Sequence, residues 1–241
     1  MGSGLLTPAV RSAIVAKIMT REQMAMRSSP HPESGAAVGT HSGRETKADQ
    51  VDIYFSADVE TDGPIPGEFS MLSFALVYAG KYDGVNFQRP TSYATAFETT
   101  LRPIFNSFQK EALVVNGLDR DRLVAEGKDP AVAMAEAADW VVRNAQAQGG
   151  TPVLVAYPVS FDWTWLYWYF IHFLTKSPFN HSRCFDLRTA IAVRGQRPVA
   201  TAGHSHLPSA LVSTKPHTHR ALDDAIEQAD MLAKLFAWDG K

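Results

Sequence analysis

The stretch Ile53-Tyr54-Phe55-Ser56-Ala57-Asp58-Val59-Glu60-Thr61 constrains this chain most. Its apolar start reads as a buried strand, and a strand points residues i and i+2 to one face about 6.6 Å apart, so Asp58 and Glu60 leave on the same side. Two like charges that close repel each other. They are tolerated where water solvates both or where cations sit between them, and hard divalent ions such as Mg²⁺ or Mn²⁺ take oxygen ligands. A lone Asp-x-Glu is more often a strand end running into water, so the meaning of this pair depends on other parts of the chain.

Composition narrows the classes. A chain of 241 residues that is 45% apolar and 20% charged has the make-up of a globular protein with room for a sizeable core. Its one cysteine, Cys184, excludes an internal disulfide and a cysteine-rich zinc site and suits a reducing cytoplasm, where the reading places it. The longest apolar run, residues 161 to 174, contains Asp162 and His172 and falls short of the roughly 18 residues a bilayer span needs, so no membrane partner is expected. Residues 1 to 50 carry six Lys/Arg against four Asp/Glu, leaving 17 against 21 for the remainder. That mildly acidic body is not the footprint of a protein that binds nucleic acid by phosphate neutralisation alone.

Residues 1 to 26 hold a possible amphipathic helix, with Pro8 just inside a Thr7 cap and apolar Val10, Ile14 and Ile18. Residues 27 to 50, rich in Ser, Gly, Pro and charge, read as a disordered linker, and residues 51 to 241 as one domain. After the first strand come a Gly/Pro turn over 61 to 68, a second strand over 70 to 79 and a third within 93 to 101, in antiparallel succession. A helix over 131 to 146 is expected from Val132, Ala135, Ala138, Trp140, Val141 and Val142, followed by a strand over 152 to 156. Trp165, Trp168 and Tyr169 recur at helical spacing within 163 to 174, where burial is the expected role and base stacking the alternative. A short strand at 184 to 187 and an amphipathic helix over 221 to 238 complete a mixed α/β order.

Acidic side chains thus stand beside apolar elements in three places: Asp58 and Glu60, Asp162, and Asp223-Asp224, with His219 five residues before Asp224. This set resembles the histidine branch of the Asp-Glu-Asp-Asp (DEDDh) 3′-5′ exonucleases within the ribonuclease H-like superfamily. Asp58-Val59-Glu60-Thr61 is similar to the first motif, Phe161-Asp162 to the second, and His219-Arg220-Ala221-Leu222-Asp223-Asp224 to the third, while Cys184-Phe185-Asp186-Leu187 resembles the intervening strand. Arg220 stands where the tyrosine branch would have its tyrosine, and Pro158 stands where the family often has an Asn.

The resemblance implies a ribonuclease H-like mixed sheet of three antiparallel strands and then parallel strands, flanked by helices. It also implies that Asp58, Glu60, Asp162 and Asp224 hold two divalent metal ions, Mg²⁺ or Mn²⁺, about 3.5 to 4 Å apart, one activating water and the other stabilising the leaving 3′ oxygen. His219 would then take the water's proton, since imidazole ordinarily titrates near 6.5. The implied substrate is a nucleic acid with a single-stranded 3′ end, DNA or RNA, shortened by release of nucleoside monophosphates. Thr61 and the turn through Phe69 are the candidates for holding its terminal nucleotide. Two other readings stand beside this one: a zinc-binding protein built on His204, His206, His217 and His219, and an inactive nucleic-acid-binding module of the same fold.

Overall fold

A computed structural model describes residues 51 to 241. The helix expected over 6 to 26 and the linker over 27 to 50 lie outside the described residues. The first strand, β1 (Asp52–Thr61), runs through the middle of the sheet. On one side it pairs antiparallel with β2 (Met71–Tyr82), from Asp52 opposite Tyr82 to Thr61 opposite Met71. On the other it pairs parallel with β5 (Thr151–Ala156), which is itself parallel to β6 (Cys184–Asp186). The third antiparallel strand is divided, because β3 (Phe87–Gln88) and β4 (Ala96–Thr100) pair with opposite ends of β2. The expected order of antiparallel strands followed by parallel ones is therefore present.

Helices cover both faces of the sheet, so the central strands are buried twice over. Ile53, Phe55, Ala57 and Val59 point toward α3 (Pro130–Gln148) and α4 (Val159–Leu174), where they join Met134, Val141, Leu166 and Phe170 in one core. The alternate residue Tyr54 points the other way, into a second core with α5 (Leu187–Arg194) and α6 (Ala221–Ala237). Period-2 alternation then gives Asp58 and Glu60 to the α6 side. The residues that read as one apolar strand thus sort two cores and a polar site.

The buried stripe of α3 differs from expectation, and in α4 the expected burial holds for two of three aromatics. The buried stripe of α3 is Ala133, Met134, Ala137, Val141 and Ala145, whereas Val132 and Val142 are exposed. The small alanines let α3 lie close to the sheet, which turns the bulkier valines outward. In α4, Trp165 and Tyr169 are wholly buried and the Tyr169 hydroxyl accepts a hydrogen bond from the Met71 amide at 2.7 Å, while Trp168 is partly exposed and stacks on His172. Two short helices, α1 (Lys110–Asn116) and α2 (Arg120–Glu126), fill the segment between β4 and α3.

These short helices brace the turn after β1. Asp62 is fully buried, accepting hydrogen bonds from the Ser70 amide at 2.5 Å and the Arg120 Nε at 2.8 Å. A second Arg120 nitrogen donates to the Phe105 carbonyl, and Asn116 donates to the Thr61 carbonyl at 3.0 Å. Removing one member of a buried ion pair leaves the other charge uncompensated, at a cost of about 3–5 kcal/mol. Arg120→Ala is expected to lose about that much in urea unfolding, and adding Asp62→Asn should recover part of it; a single variant as stable as wild type would remove Arg120 from this role.

Candidate active site

The acidic residues meet at the carboxyl ends of the two parallel strands β1 and β5, the edge at which open α/β sheets form ligand crevices. Carboxylate oxygens of Asp58, Glu60 and Asp224 lie within 4.8 Å of one another. Asp224 comes from the first turn of α6 and is 2% exposed; its two oxygens accept from the Thr218 amide at 2.8 Å and the His219 amide at 3.1 Å. Asp162 reaches the site from the first turn of α4 on the opposite face of the sheet, and its Oδ1 accepts from the Val59 amide at 3.0 Å. That bond ties Asp162 to the backbone of the residue that separates Asp58 from Glu60.

Electrostatics record the crowding. Burial pushes the Asp58 carboxyl well above its ordinary range, and the charges of Asp162, Glu60 and Asp224 add to the shift; a hydrogen bond from Gln228 opposes it. Glu60 is pushed up to about 8 by burial and then by Asp224 and Asp162. Asp162 rises to about 7 through burial, against the Val59 hydrogen bond. Among the described residues, no Lys or Arg forms an ion pair with any of the four. A cluster of buried and half-buried carboxylates whose one ion-pair partner among the described residues is the His217 ring, 3.3 Å from Asp224, is a donor set that suits hard divalent cations.

His219 sits at the lip of this group, exposed and with left-handed backbone (φ 56°), a conformation in which histidine is enriched. One of its ring nitrogens lies within 4.8 Å of an Asp224 oxygen and of a His217 nitrogen. His217 and His204 also come together, joined by Glu227, whereas the His206 ring pairs with Ser205 at 2.8 Å and belongs to neither group. Burial lowers the pKa of His204, opposed by the Glu227 charge.

The two substrate-binding candidates occupy different places. Thr61 lines a cleft of about 380 Å³ next to Glu60, together with Gly63, Pro64, Val115 and Phe161. Its hydroxyl is used by the turn, donating to the Gly63 carbonyl at 2.8 Å. Phe69 lies in the core beneath that turn, where a Cβ on Gly63 would come within 2.1 Å of its ring. The cleft wall is instead carried by Phe161, which is 40% exposed. Pro158 precedes α4 directly, and its carbonyl-side neighbour Val159 donates to Asp186 at 3.1 Å, so the Cys184-to-Leu187 segment supports the helix that carries Asp162.

Gln228 carries no motif, yet its amide nitrogen donates to Asp58 Oδ1 at 3.0 Å while its oxygen is buried without a partner. It stands one helical turn beyond Asp224 on α6, so one face of the helix supplies both.

No family profile matches the chain. Over 183 residues it is 31% identical to the 3′-5′ DNA exonuclease Cap18 of Escherichia coli, covering 75% of this chain and 89% of that protein. The chain belongs to the DEDDh 3′-5′ exonuclease family. Solved structures agree on the fold. The nuclease domain of 3′hExo, a DEDDh family member bound to rAMP, superposes with a TM-score of 0.57 at 12% identity over 78% of this chain and 92% of that one. Cell-death related nuclease 4 (CRN-4) gives 0.55 at 14% identity over 79% and 64%. A product-bound exonuclease I gives 0.50 at 14% identity over 78% of this chain, which spans 44% of that one. As a DEDDh exonuclease the protein is an enzyme of ribonuclease H-like fold, and among its described residues no helix is long and apolar enough to cross a membrane.

The raised carboxyls set a pH dependence. Unfolded Asp and Glu titrate near 3.9 and 4.3, below the folded values of about 7 for Asp162 and about 8 for Glu60, so between about pH 4 and pH 8 the folded state binds more protons. Their contribution to stability is complete below pH 4 and is lost as pH rises through those folded values. In chelator, Glu60→Gln should therefore melt above wild type at pH 8, with the gap closing toward pH 4. A gap independent of pH would disconnect the melting difference from Glu60 ionisation.

Proposed function

We propose that the protein trims single-stranded DNA from the 3′ end, releasing nucleoside monophosphates, with two divalent metal ions, Mg²⁺ or Mn²⁺, held by Asp58, Glu60, Asp162 and Asp224. The observation that carries this reading is the convergence of the Asp58, Glu60 and Asp224 oxygens, without a Lys or Arg partner among the described residues, beside the exposed His219. When bound, such ions lower the pKa of attacking water and stabilise the charge on the departing oxygen.

The chain's own groups do the rest. His219 accepts the proton of the water that attacks the terminal phosphorus; the bond from phosphorus to the 3′ oxygen breaks, that oxygen takes a proton from solvent water, and the shortened strand keeps a new 3′ hydroxyl. Its place on a loop outside α6 leaves the imidazole free to meet that proton. Gly63, Pro64 and Phe161 offer the terminal base an apolar wall, and Thr61 holds the turn that forms it. Gln228 fixes Asp58 in its ligating orientation. DNA is favoured as substrate because Cap18 is a DNA exonuclease. The unpaired Cys184 accords with a cytoplasmic location.

End-labelled single-stranded DNA and RNA, incubated with Mg²⁺, Mn²⁺ or chelator, test the proposal. Stepwise shortening of DNA from the 3′ end, stopped by chelator and by Asp58→Asn, is expected; intact DNA in both metals would leave an inactive binding module, and faster loss of RNA would reverse the substrate.

Two variants separate the roles. His219→Ala should lower kcat by about 10²–10⁴-fold with Mn²⁺ affinity retained, so weakened Mn²⁺ binding with normal kcat would show its role to be misassigned. Gln228→Leu removes an outer partner of a ligand, a change that ordinarily costs about 10- to 100-fold in activity or metal affinity; unaltered kinetics would make Gln228 a packing residue only.

A further inference from the structure

We infer that His204, His217 and Glu227 form a second binding site, for a transition-metal cation of the Zn²⁺ class, which abuts the carboxylate site where His217 Nδ1 stands 3.3 Å from Asp224 Oδ1 and differs from it in donor chemistry. Potential ligand atoms of the three lie within 4.8 Å of one another. His217 Nδ1 is 2.9 Å from Glu227 Oε2, His204 Nδ1 is 3.9 Å from Glu227 Oε1, and the two imidazole centroids are 4.9 Å apart.

Glu227 is the informative member. It lies on α6, is 8% exposed, and among the described residues its ion-pair partners are these two imidazoles and no Lys or Arg. A carboxylate taken out of water needs a cation or a donated proton. In the metal-free arrangement the His217 ring, at 2.9 Å, shares a proton with the carboxylate while His204 stands off at 3.9 Å, and a cation shared by all three groups satisfies the same carboxylate while using the lone pairs of both rings.

Donor type sorts the two sites. Imidazole suits zinc and its neighbours, whereas Mg²⁺ and Mn²⁺ prefer all-oxygen ligands. Two histidines and one glutamate, with a fourth position for water, are a known tetrahedral zinc set, in which ligands about 2.0–2.1 Å from the ion stand about 3.3 Å apart. The closing movement, at most about 1.5 Å from the 4.8 Å limit to a tetrahedral ligand spacing, falls on His204 and His217, whose side chains are 43% and 40% exposed. The three ligands come from separate pieces of chain: the 3₁₀ turn His204–His206, the segment leading to His219, and α6. A cation here would pin the His219 loop to the helix that carries Asp224.

The test uses the full chain, Zn²⁺ alone as probe, and no nuclease assay, so its failure is separate from failure of the exonuclease reading. Protein stripped with chelator is loaded with Zn²⁺, dialysed against millimolar Mg²⁺ and measured for retained zinc. Wild type and Asp58→Asn should each keep one Zn²⁺ per chain. His204→Gln and Glu227→Gln should bind it at least about 10- to 100-fold more weakly, since losing a ligand costs no less than losing an outer partner. Zinc lost from Asp58→Asn but kept by His204→Gln would place the ion among the catalytic carboxylates and overturn the assignment, as would a wild type that keeps none. Ring resonances of His204 and His217 followed by NMR during Zn²⁺ titration of the wild type give a second readout that needs no variant: both must shift together, and an unmoved pair overturns the site.

Discussion

Mutual repulsion among carboxylates removed from water is the constraint on which the rest of the structure depends. Two unit charges 4 Å apart repel by about 4 kcal/mol at an effective dielectric constant of 20, enough to splay any flexible support. Here the supports are not flexible. Asp58 and Glu60 ride the central strand of the sheet, Asp224 accepts two backbone amides at the start of α6, and Asp162 is tied to the Val59 amide. Each carboxylate is held by an element whose position is fixed by apolar packing elsewhere, so the cores on the two faces of the sheet supply the free energy that opposes the repulsion. The site is thus a region where local electrostatics and global packing disagree, and packing wins.

The same logic explains why α6 carries so much. Its apolar face, with Ala225, Ala229 and Leu232, seats it against the sheet. Asp224 and Gln228, four residues apart, project together toward β1. Glu227 projects toward the histidine loop. A helix that read simply as amphipathic therefore has a polar side that is largely buried, where Asp224, Glu227, Gln228 and Asp230 are all at most 8% exposed.

What the sequence made legible follows from which forces are local. Strand alternation around Asp58 and Glu60, and the apolar periods of the long helices, are written in neighbouring residues, and the described elements match those readings within a few residues. The unread helices α1, α2 and α5 are seven or eight residues each, too short for a periodic signal, although the Asp119 and Asp186 caps and Gly117 in left-handed conformation mark their limits. The buried stripe of α3 was harder to read, because alanine is weakly apolar and the exposed valines outweigh it in any pattern. Phe69 illustrates another limit: its closeness in sequence to Asp58 and Glu60 says nothing about which side of the turn its ring takes, and the absence of a Cβ on Gly63 leaves room for the ring beneath the turn. Gln228 carries no local signal, since its partner Asp58 lies 170 residues away, and Glu227 meets His217 only because the loop before α6 folds back on the helix.

Charge closes the argument. Residues 51 to 241 carry 17 basic and 21 acidic side chains, a formal excess of four negative charges, on a protein whose substrate class is a polyanion. Two divalent cations, held as proposed, bring four positive charges to the one place where the terminal phosphate must sit. The body has no need of a broad basic face, because attraction is concentrated within a Debye length of about 8 Å around the reacting bond at physiological salt. The central strand is apolar on both faces along most of its length and turns anionic toward its carboxyl end, where Asp58 and Glu60 stand; cations held there as proposed would let a mildly acidic body receive the end of a nucleic acid.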